Sequence, residues 1–167
     1  MLIELVQERE AVVREPDEMY DSELHDVNTI IMDVCRSLGD SNAFAFRVSG
    51  FGDLHWPVDV ATDLATVLEQ LPGALLGLRQ GLAFQIDFFE QGVQRRLEFE
   101  PEGSRYHVIC LSGTEWRPNP PFEFVDAKAL DAMLRAVGQA FVASTKNLLP
   151  DTAAHPWFVA YASGLAG

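Results

Sequence analysis

Cysteine is nearly missing from this chain: Cys35 and Cys110 are the only two. That excludes a disulfide framework, and neither residue has the neighbouring ligands of a zinc site, so both are expected to be small buried hydrophobes. Basic residues are scarce as well, 12 against 25 acids, for a formal net charge of −13. A surface of that sign is repelled by nucleic acid and by anionic lipid, and it attracts basic protein. Long apolar runs are also lacking, since no segment approaches the roughly 20 residues of a membrane-spanning helix. The opening "MLIELVQERE" is acidic where a secretory signal would be basic and then apolar, which points to a cytoplasmic protein with neither nucleic acid nor membrane as partner.

Catalytic signatures are the next absence. Neither the Gly-x-Ser-x-Gly string of a nucleophile elbow nor a phosphate-binding Gly-x-x-x-x-Gly-Lys-Ser/Thr occurs. "GFGDLHWPVDV" holds two close glycines but no third at dinucleotide spacing, and it reads as a turn. His25, His55, His107 and His155 lie apart in sequence and form no metal-binding pair, so no metal or cofactor is expected. Asp87 and Glu98 could meet across a hairpin and do acid–base work, but Arg95 and Arg96 lie close enough to neutralise them, and a solvated sheet face is the simpler reading. The remaining enzyme-like cluster, Asp53, His55 and Trp56, matches no mechanism. A non-catalytic protein is expected.

What is present is globular. Apolar residues make up 48% of 167 and charged residues 22%, with eleven phenylalanines spread along the chain, as in one domain with a sizeable core. Residues 1–14 read as an edge strand or a short helix. Pro16 suits a first helical turn, and Tyr20, Leu24, Val27, Ile31, Val34 and Leu38 form one stripe at spacings of 4, 3, 4, 3 and 4, which predicts a helix closing at Gly39. Phe44, Phe46 and Val48 alternate as a strand. Val60, Leu64, Val67, Leu68 and Leu71 share a face of a second helix, stopped by Pro72 and Gly73. "LAFQIDFFE", "VQRRLEFE" and "RYHVICLS", separated by turn residues, predict an antiparallel meander with the third strand central. "EWRPNPPFEF" reads as a proline-rich loop. Asp126 caps a third helix, with Val125 and Leu130 as staple and Leu130, Leu134, Val137 and Phe141 as its buried stripe. The tail adds a last helical turn or packs as a strap through Trp157, Phe158 and Tyr161. The expected fold is α+β, a single domain of order α-β-α-β-β-β-α, with one antiparallel sheet covered by helices on one side.

Three places could receive a partner. One is the open sheet face bearing Gln85, Asp87, Gln94, Arg96, Glu98 and Glu100. A second is Trp116, an aromatic anchor in the proline-rich loop. The third is "PDEMYDSELHD", where Asp17, Glu18, Asp21, Glu23 and Asp26 crowd into eleven residues; there the helix dipole and solvation account for the acids without a partner.

In size, acidity, α+β pattern and want of catalytic motifs, the chain resembles the small cytoplasmic immunity proteins of bacterial polymorphic-toxin and contact-dependent inhibition systems, chiefly through "FRVSGFGDLHWPVDV", "FQIDFFEQGVQRRLEFE" and the Asp126 helix. The resemblance implies a toxin inhibitor that binds one cognate, basic domain and has no catalytic residues. Two alternatives stay open: an acidic secretion chaperone for an effector protein, and a small-molecule binder or enzyme using the Asp53/His55/Trp56 turn.

Overall fold

The computed structural model describes residues 1–16, 20–90 and 92–166. Six strands and five helices follow in the order β1 (Leu2–Gln7), α1 (Val27–Asp40), β2 (Phe44–Ser49), α2 (Asp63–Gln80), β3 (Phe84–Phe88), β4 (Arg95–Glu102), β5 (Arg105–Ser112), β6 (Phe122–Asp126), α3 (Ala127–Leu148), α4 (Pro150–Ala153) and α5 (Pro156–Ala166). The α+β class and the antiparallel meander are as the patterning predicts. The strands divide between two sheets rather than one, an antiparallel pair β1-β2 and a four-stranded meander β3-β4-β5-β6.

Local chemistry explains where the elements depart from the sequence pattern. α1 begins at Val27, eleven residues after Pro16, because Asp26 and Thr29 form a reciprocal capping box: the Asp26 carboxylate accepts from the N–H of Asn28 and Thr29 at 2.9 and 3.1 Å. Upstream, Asp21 folds its own turn, its carboxylate accepting from Glu23 N–H and its carbonyl from Leu24 and His25. Leu24, placed in the buried stripe by spacing, is therefore 78% exposed. Gly39 does not close the helix. It lies inside the last turn, where an added Cβ would come within 3.2 Å of Ala61 Cβ, and the chain turns instead at Ser41 and Asn42, the latter at φ 52.

α2 runs through Pro72 instead of stopping there. A proline within a helix leaves the carbonyl four residues earlier without its donor. Here the Tyr161 hydroxyl of α5 donates to that carbonyl, Leu68 O, at 2.8 Å. The helix then continues to Gln80 and ends at Gly81 in the left-handed conformation, φ 65.

Part of the proline-rich segment is strand: Phe122–Asp126 pairs antiparallel with β5, so β4 and β5 are both central. Asp126 caps α3 by accepting from Lys128 and Ala129 N–H at 3.0 Å, and Leu130, Leu134, Val137 and Phe141 are buried as their spacing predicts. The tail is helical, with Phe158 and Tyr161 in the core and Trp157 half-buried. Cys35 and Cys110 are both buried. Among the described residues no helix is long and apolar enough to cross a membrane.

Candidate partner-binding face

Strand alternation sorts the meander into two chemistries. Inward go Ile86 and Phe88 of β3, Leu97 and Phe99 of β4, and Tyr106, Val108 and Cys110 of β5, all buried. Outward, the register aligns Gln85, Glu98, Ile109 and Phe122 in one cross-strand row, and Asp87, Arg96 and Leu111 in the next. Glu100, His107 and Phe124 form a third row, and Glu102, Arg105 and Asp126 a fourth.

This outer face is graded. On β3 and β4 it is ionic: Arg96 lies between two acids, 3.1 Å from Asp87 and 3.9 Å from Glu98, while Glu100 is 3.5 Å from the His107 ring. Toward β6 it becomes aromatic, with His107, Phe122 and Phe124 ring centroids 4.9 to 5.8 Å apart and the Arg105 guanidinium 3.9 Å over Phe124. Phe89, Leu111, Phe122 and Phe124 are 44 to 59% exposed. A cavity of about 390 Å³ opens on this face between Asp87, Phe89, Arg96 and Leu111.

The sequence-predicted residues thus fall into separate places. Asp87, Glu98 and Glu100 share the outer face as expected. Asp21 lies in the turn before α1, outside any helix, so no helix dipole acts on it. Asp17 and Glu18 lie outside the described residues. Trp116 is half-buried and stacks on Arg95, on the side of the sheet away from Glu98, its ring centroid 3.6 Å from the guanidinium carbon.

Arg95 is the residue sequence reasoning missed. Proximity in sequence groups it with Arg96 as a neutraliser of Asp87 and Glu98, but consecutive strand residues point to opposite faces. Arg95 has the parity of Leu97 and Phe99, and its side chain is 5% exposed. It is held between the Trp116 and Trp56 rings, the latter at 4.4 Å, and its Nη1 meets Asp53 Oδ2 at 2.9 Å. Its Nε is buried without a partner among the described residues. Two members of the Asp53/His55/Trp56 turn are therefore engaged in seating this cation. The Trp56 indole also donates to Gly50 O at 3.3 Å, while His55 is exposed. The turn is clamped from outside as well: Asn119 N–H bonds Phe51 O, and a Cβ on Gly52, φ 83, would lie 2.1 Å from Asn119 O. The grouping of His107, Phe122 and Phe124 escapes the sequence pattern too, because the proline-rich segment reads as loop where the structure has β6.

Burial sets the reactivity of the titratable groups nearby. The Cys110 thiol is pushed up to about 12 by desolvation, partly opposed by Arg95, which keeps it a neutral thiol. Asp63, in the first turn of α2, is raised to about 6 by burial, with the carboxylates of Asp59 and Glu90 adding to the effect; the Asp59 N–H that it accepts acts the other way. No group of three or more His, Cys, Asp or Glu among the described residues is placed to hold a metal ion. Comparison with protein-family models, with curated proteins and with solved structures gave no match.

Proposed function

We propose that this chain works by binding another protein on the outer face of the meander, and that the partner is a basic toxin domain which it holds inactive, in the manner of an immunity protein. The observation that carries the reading is the graded face itself. Carboxylates at Asp87, Glu98 and Glu100 stand beside exposed aromatic and aliphatic side chains at Phe89, Leu111, Phe122 and Phe124, with a cavity among them able to take an anchoring side chain. In a chain of net charge −13, such carboxylates accelerate encounter with a positively charged surface, and desolvated aromatic anchors then prolong the complex. Trp116 stays outside this face, serving Arg95 first.

The exposed apolar row also suits a secretion chaperone, which would hold an extended effector segment there. The two readings part on what the captured protein does. The test is affinity capture at low salt with the wild-type chain and with Glu98→Lys/Glu100→Lys, followed by an activity assay of the captured protein, free and bound. A single basic protein that is inactivated by the wild type and not retained by the double variant is expected. A partner that keeps full activity in the complex supports the chaperone instead, and equal retention by both chains removes this face as the site.

A further inference from the structure

The meander has two edges, and they are not equivalent. On β3, the outward backbone of Asp87 is occupied: Gln70 of α2 donates from Nε2 to Asp87 O and accepts from Asp87 N–H, each at 2.8 Å. α2 also presses on β3 at Phe84, where a Cβ added to Gly77 would come within 3.2 Å of the Phe84 side chain. At Asp87 that edge is occupied by a side chain imitating a strand.

On β6 the backbone bonding phase can be read from the two ends of the ladder. Cys110 N–H bonds Pro121 O, and Ala127 N–H bonds Ser104 O. In an antiparallel pair, directly opposed residues alternate between bonded and non-bonded. Glu123 and Val125 therefore turn their N–H and C=O toward β5, and Phe122 and Phe124 turn theirs away from the sheet. No described residue bonds these outward groups. The Phe122 and Phe124 side chains stand on the outer face, 45 and 46% exposed. An unpaired strand edge flanked by apolar side chains is a template for another strand.

We propose that β6 is the docking edge of this protein, and that its occupant is an extended segment of the partner, alternating apolar with lysine or arginine, added antiparallel or parallel to Phe122–Asp126. This deepens the proposed function and rests on it. The backbone vacancy requires an extended chain, since only that presents N–H and C=O at matching spacing. Alternate apolar residues would lie against Phe122 and Phe124. Basic residues, which such a strand would carry on the face away from Phe122 and Phe124, answer the net charge of −13, whereas a second copy of this chain brings a further −13 to the contact.

The probe is a synthetic peptide of alternating lysine and valine, with the glutamate–valine counterpart as control. It is titrated into the wild-type chain and into Phe124→Pro, which removes an outward N–H that the ladder does not use and which an edge strand tolerates. Amide exchange is followed residue by residue. The lysine–valine peptide is expected to bind the wild type, to slow exchange at Phe122, Phe124 and Asp126, and to lose at least tenfold in affinity with Phe124→Pro while the melting curve is unchanged. If Phe124→Pro lowers the melting temperature, the wild-type exchange pattern decides alone. Absence of binding overturns the inference, as does binding with protection elsewhere. Should binding depend on Glu98 and Glu100 without protecting β6, the edge inference fails and the outer-face reading survives. If the wild type alone dimerises with these amides protected, the occupant is a second copy and the proposal is wrong.

Discussion

Arg95 and Arg96 are neighbours in sequence and opposites in circumstance. The first is 5% exposed, stacked between two tryptophans and paired with Asp53; the second is 46% exposed and bridges two surface carboxylates. One residue of strand advance separates a cation that organises the interior from one on the exposed outer face. Charge in this protein thus has two uses. The inner use fixes the Gly50–Asp53 turn and the Trp116 loop against β4, and the outer use lies on the face proposed to meet a partner.

The largest expected effect tests the inner use. Arg95→Ala leaves Asp53 without its cation and the two tryptophans without their filling, and removing one partner of a buried pair costs about 3–5 kcal/mol. Arg96→Ala, on an exposed pair, should change stability by no more than about 0.5 kcal/mol. Urea unfolding of the two variants compares them directly; equal midpoints would erase the distinction drawn here.

Asp63, by contrast, is a buried carboxyl with no cation beside it among the described residues: it is 2% exposed and one of its oxygens has no partner there. Its folded-state value, about 6, lies above the ordinary 3.8, so the folded chain favours the protonated form. The favourable contribution is full below about pH 4 and is lost as pH rises through about 6. Asp63→Asn should flatten that decline and raise stability at pH 7 by about 3 kcal/mol at most, at roughly 1.4 kcal/mol per tenfold. Parallel melts of both proteins from pH 4 to pH 8 would reveal it, and parallel declines would refute it.

A smaller effect is expected at Tyr161. Tyr161→Phe keeps the packing and removes the donor to Leu68 O, leaving a buried carbonyl unpaired at a cost of roughly 1–3 kcal/mol. Restoration of stability when Pro72→Ala is added would identify the missing bond as the one that proline deletes; an unaltered Tyr161→Phe midpoint would mean that the bond contributes nothing.

Periodicity carried the fold class and much of the core, since the stripes in α1 and α3 and the alternation in β2 to β5 depend only on local spacing. Three features lay beyond it. Pro72 was read as a stop because its remedy, Tyr161, lies 89 positions away in the sequence. Residues 20–26 carry the apolar spacing of a helix through Tyr20 and Leu24, while the Asp21 turn and the Asp26 capping box decide otherwise through hydrogen bonds that spacing does not encode. β6 was hidden by the prolines before it, though Phe122, Phe124 and the cap at Asp126 fit an edge strand entering a helix. The candidate face was half legible: Asp87, Glu98 and Glu100 follow from alternation, but the aromatic half needed β6. The inward direction of Arg95 was legible, since its parity with Leu97 and Phe99 places it inside, but its partners Asp53, Trp56 and Trp116 were not, because they come from loops distant in sequence.

Binding at the outer face is decided by the association rate of the captured partner with the wild type and with Glu98→Lys/Glu100→Lys, across ionic strength. The wild-type rate is expected to fall steeply with added salt, to exceed that of the double variant by about tenfold or more at low salt, and to converge with it at high salt. Unfolding midpoints should agree. Equal association rates at low salt would contradict the claim that the outer face of the meander is where this protein meets its partner.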